Sequence, residues 1–364
     1  MNFSNQTGYI IDEKLYKRIG STWVIDGFYL AVISPIGLIG FILNLVSFGV
    51  LCKVKVKETK LYQYLKIYSF NSSLICLICG LLFTTYSPRY FPDFTNYLVK
   101  IFRCRVYGYG MLSLFFFNNL IDILIIIDRI SIFINRLKKF RSIKIYIFLP
   151  ILFILCFFIN SSFYFTFEIT PNEIFFTSNS MNYCDQTEYG KSRIGSIVNL
   201  IVIFIRDILT LIVELICNVL AIYNFYKFKN MSLHKFAITI NKNDSSSNLS
   251  NIHQKQTNQT PINTTITNTP VNIEQSRIEK RKHATQQLLL MTIILSIFSF
   301  LIHLIAAFIF TFLVLIFFED RLIYFSIVAF GCFSMAFKHF STIFIFYFFN
   351  SNFKKQFNKT FNRI

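Results

Sequence analysis

Charged and titratable side chains stand inside stretches otherwise built of Leu, Ile, Phe and Val: Asp122, Arg206, Asp207, Glu214, His303 and Lys338. The pair Asp128-Arg129 closes the apolar run that begins near Cys104. An ionised group in hydrocarbon is costly, so such groups pair with one another, face water, or carry a proton or ion. The chemistry on offer is therefore electrostatic restraint or ion movement. Nothing points to an enzyme: the sequence holds no His-Glu-x-x-His, no Gly-rich phosphate loop and no Gly-x-Ser-x-Gly. No metal or cofactor is expected.

Those residues need elements that hold them at membrane depth. The chain has 364 residues, 54% of them hydrophobic and 46 of them Phe, with a mean hydropathy of +0.52. Several apolar runs exceed the roughly 20 residues that one helix needs to cross a bilayer at about 1.5 Å per residue. Seven spans are expected, over 25–51, 61–84, 102–131, 143–167, 194–226, 284–318 and 322–349. The fold class is all-α, a seven-transmembrane helix bundle. Residues 1–24 precede it, 25–349 form the membrane domain and 350–364 follow it. The polar start of the chain and the length of the run from Phe28 to Leu51 argue against a cleavable signal peptide; the first span serves as the targeting signal.

Charge orients the bundle. The side holding residues 52–60, 128–144, 227–283 and 350–364 carries 23 Lys/Arg and 5 Asp/Glu, while the opposite side carries 9 of each. The whole net charge of +18 thus lies on one face. By the positive-inside rule that face is cytoplasmic and the N-terminus is outside, as at a plasma membrane. Nucleic-acid binding is disfavoured because the basic residues are divided among loops between spans rather than gathered in one patch. The sequons at Asn2 and Asn5 fit an outer N-terminus, but equivalent triplets at Asn243 and Asn258 on the inner side deprive them of weight.

Of eight cysteines only Cys104 and Cys184 fall on the outer side. An oxidising exterior invites one disulfide between them; two free thiols are the alternative. Residues 241–276 are dominated by Asn, Ser and Thr and cannot bury enough apolar surface to fold, which predicts a disordered inner loop, either a spacer or a set of phosphorylation sites. After the last span Phe353, Phe357, Phe361 and Ile364 recur at helical spacing, with Lys354, Lys355, Lys359 and Arg363 on the other face. That pattern predicts an amphipathic helix on the inner leaflet; a disordered basic tail is the alternative.

Cys104 and Asp128-Arg129-Ile130, with 25 residues from the cysteine to the arginine, resemble the third helix of rhodopsin-like G-protein-coupled receptors, with Ile130 in place of the usual Tyr. Gly40-x-x-x-Asn44 resembles that family's first helix, and residues 350–354 resemble the start of its eighth. The resemblance implies a receptor that transmits an extracellular ligand to a heterotrimeric G protein, close to divergent invertebrate peptide receptors or chemoreceptors. It implies that Asp128 and Arg129 form the switch and that Leu137 is the apolar second-loop contact with the G protein; ordinary interfacial charge is the alternative for the pair. A family sodium pocket corresponds here to Asn71, Ser72 and Asn118, with Lys338-His339 in the matching part of span seven. The expectation is that the Lys338 ammonium pairs with Asp122 and replaces the ion; separate partners for each are the alternative. Asn44, Asn71, Asn118, Asp122, Lys338 and His339 thus form the expected polar network.

The candidate ligand pocket is Tyr107, Met111, Phe115, Asp207 and His303. Met111 stands where amine receptors carry an acid, which argues against a monoamine and for a peptide or a small apolar ligand. Span six lacks the family's Trp and Pro, span seven its Asn-Pro-x-x-Tyr, and span five its proline, so kinks must be absent or made otherwise. An ion- or proton-coupled transporter or channel using the intramembrane charges is the alternative; it is weakened by the absence of internal repeats and by Pro35 and Pro150 being the only span prolines. An inverted seven-span channel would need the N-terminus inside, against the charge count.

Overall fold

A computed structural model describes residues 27–54, 60–82, 98, 101–132, 134, 137, 139–140, 143–169, 184–227, 270–309 and 321–362. The N-terminal sequons and most of the 241–276 loop lie outside them. Among the described residues, six helices are long and apolar enough to cross a membrane. They are α1 (Tyr29–Lys53), α2 (Lys60–Leu81), α3 (Cys104–Ile130), α4 (Ile145–Thr166) and the apolar parts of α6 and α7. A further helix, α5, runs over 193–227. Helix α6 spans Pro270–Phe308, α7 spans Arg321–Phe349 and α8 spans Ser351–Phe361. The result is an all-helical, multi-span membrane bundle.

Helix α6 begins at Pro270, well before the expected limit at 284, so the last part of the expected disordered loop is helical. Proline at a first helical position forgoes no hydrogen bond and has its φ already set, and leaving the hydrocarbon does not end a helix. The outer loop also differs from an all-helical expectation. Strands β1 (Phe167–Ile169) and β2 (Cys184–Gln186) pair antiparallel with Ile169 opposite Cys184. That register brings Cys184 over the outer end of α3, where its Cα lies 5.7 Å from that of Cys104 and the two are joined in a disulfide.

Helix α3 is the axis of the bundle: 78% of its spanning window is buried, against 33% for α1 and 28% for α4. Polar residues on α3 therefore meet other helices rather than lipid. Helices α1 and α2 pack close because glycines face each other. A Cβ on Gly37 would strike the Gly80 amide nitrogen and come within 2.8 Å of the Cys76 carbonyl.

Three helices depart from regular α-geometry without a proline in the irregular turn, one of them in α5. The backbone widens to π-helix over Tyr29–Ile33, Phe102–Met111 and Phe204–Leu209. In α5 the Thr210 hydroxyl donates to the Ile205 carbonyl at 3.0 Å, five residues back, as a π-turn allows. The turn falls on Arg206-Asp207, the one Arg-Asp pair in α5.

After α7, Asn350 caps α8, its Oδ1 accepting from the Phe353 amide at 3.0 Å and from the Tyr62 hydroxyl at 3.2 Å. Phe353 is fully buried, and rings continue through Phe357 to Phe361, whose centroids are 4.5 Å apart. Lys354, Lys355 and Lys359 are exposed on the other side. The amphipathic pattern of the tail thus folds as a helix docked on α7 and α1 and hydrogen-bonded to Tyr62 of α2; Arg363 and Ile364 lie outside the described residues.

Candidate functional site

The buried polar residues converge on α3. Its Asn118 and Asn119 are adjacent and point to different neighbours, and Asp122 follows Asn119 by three residues, on the same side of the helix. Two connected groups result.

The first joins α2, α3 and α7, with α1 attached. Asn71 donates to the Leu114 carbonyl at 2.8 Å and to Asn118 Oδ1 at 3.1 Å. Asn118 donates to Ser72 Oγ at 3.3 Å, and His339 Nδ1 lies 3.1 Å from the same hydroxyl and 3.4 Å from Asn118 Nδ2. Asn44 donates to the Gly40 carbonyl at 2.8 Å and to the His339 backbone carbonyl at 2.9 Å. Every one of these side chains is buried.

The second carries charge. Lys338, 1% exposed, places Nζ 2.9 Å from Asn119 Oδ1 and 3.1 Å from Asp122 Oδ2, with the Phe115 ring 5.4 Å away. Ser299 of α6 donates to the same Asp122 oxygen at 2.6 Å. One carboxylate oxygen thus ties α3 to both α6 and α7. Asn119 continues outward: its Nδ2 is 3.5 Å from His303 Nε2, and His303 Nδ1 is 3.1 Å from Glu214 Oε2 on α5. Glu214 and His303 are both fully buried. The arrangement links four helices through two acid–base pairs bridged by a single amide.

Asn119 and Ser299 were not singled out by sequence reasoning, and the pairing of Glu214 with His303 was not foreseen. The signal was present in weak form. Ser296, Ser299 and His303 mark a polar stripe along α6 at helical spacing, and Asn119 shares the side of α3 that bears Asp122.

The expected ligand pocket divides. Phe115, Asp207 and His303 gather around a small cavity with Arg206, Ala306 and Met335. Tyr107 and Met111 turn elsewhere: the Tyr107 hydroxyl lies 2.9 Å from Cys332 Sγ on α7, and Met111 Sδ lies 3.9 Å from Cys79 Sγ on α2. Both sit on the π-helical outer turn of α3, where the wider turn shifts the direction of successive side chains from the α-helical one. Arg206 donates to its neighbour through Nε at 2.8 Å and Nη2 at 2.7 Å, occupying both Asp207 oxygens in a bidentate pair.

At the C-terminal end of α3, Arg129 donates from Nη2 to Asp128 Oδ2 at 2.5 Å and from Nε at 3.2 Å. Both residues are buried, and among the described residues this is the only ion pair Arg129 makes. Leu137 is half-buried and packs against an apolar cluster that α3, α5 and α6 share, which includes Ile130, Ala221 and Leu289.

No protein-family model matches this sequence, and no curated protein matches it. Among solved structures it is similar to the crystal structure of squid rhodopsin, with a TM-score of 0.55 and 14% sequence identity over 93% of this chain and 86% of that one. The likeness extends over nearly the whole molecule and gives the fold: this is a multi-pass membrane protein with the rhodopsin arrangement of helices.

Proposed function

We propose that the chain is a G-protein-coupled receptor of the rhodopsin-like type, held in the plasma membrane with residues 1–24 outside, which converts binding of an extracellular ligand into activation of a heterotrimeric G protein. The observation that carries this reading is the buried Asp128–Arg129 pair at the inner end of the most enclosed helix of a rhodopsin-fold bundle, on the face that holds the whole excess positive charge. Among the described residues the one ion pair Arg129 makes is with its own neighbour, a restraint that an incoming partner can displace. The restraint on the closed bundle lies deeper. Lys338, Asp122 and Ser299 clamp α7, α3 and α6 together near mid-membrane, and Leu137 packs under them until α5 and α6 separate. Ligand binding shifts this two-state bundle by favouring the state in which the clamp is open. The ammonium of Lys338 fills the place of a mobile cation, so sodium has no part in the equilibrium.

Transport is the weaker reading for a physical reason. Asp122 pairs with Lys338 and Arg206 with Asp207, and Glu214 is bonded to His303, so these groups bind one another rather than lining an open path. Ligand screening in cells that report G-protein dissociation tests the proposal. A ligand response that Arg129→Ala abolishes supports it; ligand-evoked ion currents that Arg129→Ala leaves intact overturn it.

A further inference from the structure

The cavity between α3, α5, α6 and α7 defines its own ligand through the polar atoms left free in it. About 10 Å³ is open there, room for at most one water. The polar side chains on its wall are Arg206, Asp207 and His303. Both Asp207 oxygens are occupied by Arg206. Both His303 ring nitrogens are engaged, one by Glu214 and one by Asn119. Arg206 is 5% exposed, and its Nη1 has no hydrogen-bond partner among the described residues. The rest of the wall is apolar, formed by Leu112, Phe115, Met335 and the adjacent small residues Ala306 and Ala307.

We infer that this cavity admits an uncharged, mainly apolar molecule carrying one carbonyl oxygen, which accepts a hydrogen bond from Arg206 Nη1. An amine finds no open acid, because Asp207 is already doubly bonded. A carboxylate would bring an unbalanced charge beside a pair whose net charge is zero, and a buried charge without a counter-ion is costly. A plain hydrocarbon leaves the Nη1 hydrogens unsatisfied, which forfeits the stabilisation that a bond to a charged donor supplies. The molecule must also widen the site, and the small side chains on α6 are where the wall can yield. It therefore favours a state in which α6 stands away from α3. That consequence rests on the receptor reading above; binding itself does not.

The test uses the purified full chain in lipid nanodiscs and four probes of equal length: 2-octanone, octane, octylamine and octanoate. Binding is read as the concentration dependence of the thermal unfolding midpoint, without any G protein. The inference expects 2-octanone to bind at least about tenfold more tightly than each of the others. The double substitution Arg206→Met with Asp207→Met removes both charges together, which a bundle tolerates far better than losing one. It should bring 2-octanone down to the affinity of octane. Ala306→Leu fills the cavity and should remove the shift by both. Tighter binding of the amine or the acid, an undiminished ketone preference in the double variant, or no shift by 2-octanone overturns the inference. Ketone binding that evokes no G-protein dissociation leaves the inference standing and counts against the receptor reading alone.

Discussion

Lys338→Ala is the substitution with the largest calculable consequence. The wild-type ammonium sits 3.1 Å from Asp122 Oδ2 and 2.9 Å from Asn119 Oδ1, with neither Lys338 nor Asp122 more than 2% exposed. Removing it leaves a buried carboxylate whose remaining donor among the described residues is the Ser299 hydroxyl at 2.6 Å, with no partner there for Oδ1. Breaking a buried pair on one side costs about 3–5 kcal/mol, mostly because the surviving charge is uncompensated. Loss of the aliphatic stem adds a cavity term. Asp122→Asn introduced together with Lys338→Ala removes the stranded charge yet keeps an oxygen for Ser299. The cavity term is common to both Lys338 variants and cancels in a double-mutant cycle. The cycle should therefore return a coupling of about 2 kcal/mol or more, within the range that interacting neighbours show. The assay is thermal unfolding of the purified chain and of the three variants, run in sodium and again with sodium replaced by N-methylglucamine. The double variant should recover more than half of the midpoint lost by Lys338→Ala, and sodium should move none of the four. Equal losses in the single and double variants would refute the reasoning, as would a wild type stabilised by sodium.

Other expectations follow from the same geometry. Asn119→Ala removes the amide between the two acid–base pairs, so the effects of His303→Phe and Lys338→Ala on unfolding should couple in the wild type and add independently in its background. Gly37→Ala forces a Cβ into the α2 backbone and should sharply lower the yield of folded protein; Gly49→Ala, where a Cβ meets nothing within 4 Å, should raise stability by about 0.5–1 kcal/mol. Cys184→Ser opens the disulfide that pins the outer hairpin to α3 and should cost about 2–5 kcal/mol, read as reduced surface labelling that Cys104→Ser matches and the double variant does not worsen. Asn350→Ala removes both the α8 cap and an acceptor for Tyr62, and should cost about 1 kcal/mol with increased amide exchange over Ser351–Phe361.

What the sequence makes legible here is governed by contrast. That the chain crosses a membrane several times follows from apolar run length. Asp122 and Lys338 stand out because a charge in hydrocarbon demands an explanation. The rotation of each helix about its axis is harder to read. Lipid and bundle core are both apolar, so Leu, Ile and Phe surround α1 and α4 with little periodic difference between their two sides. Tyr107 and Met111 belong to the pocket only by their position along span three, and in the π-helical part of α3 they lie against Cys332 and Cys79. Asn119 was overlooked beside Asn118 because adjacent residues on a helix face different neighbours, and only the packed bundle reveals which neighbours those are. The π-turn at Arg206-Asp207 has no proline to announce it, and the β1–β2 pairing depends on a register that three-residue strands do not specify in sequence.

The claim that this bundle works as a receptor rests on Arg129 acting as a G-protein contact released by opening the Lys338–Asp122 clamp. Its most direct test needs no ligand. Lys338→Ala is expressed with each class of heterotrimeric G protein carrying a dissociation sensor, alone and combined with Arg129→Ala, at matched surface levels. The account predicts raised basal dissociation of at least one G-protein class in Lys338→Ala and its return to background when Arg129→Ala is added. A Lys338→Ala signal that persists without Arg129, or membrane currents in place of G-protein dissociation, would contradict it.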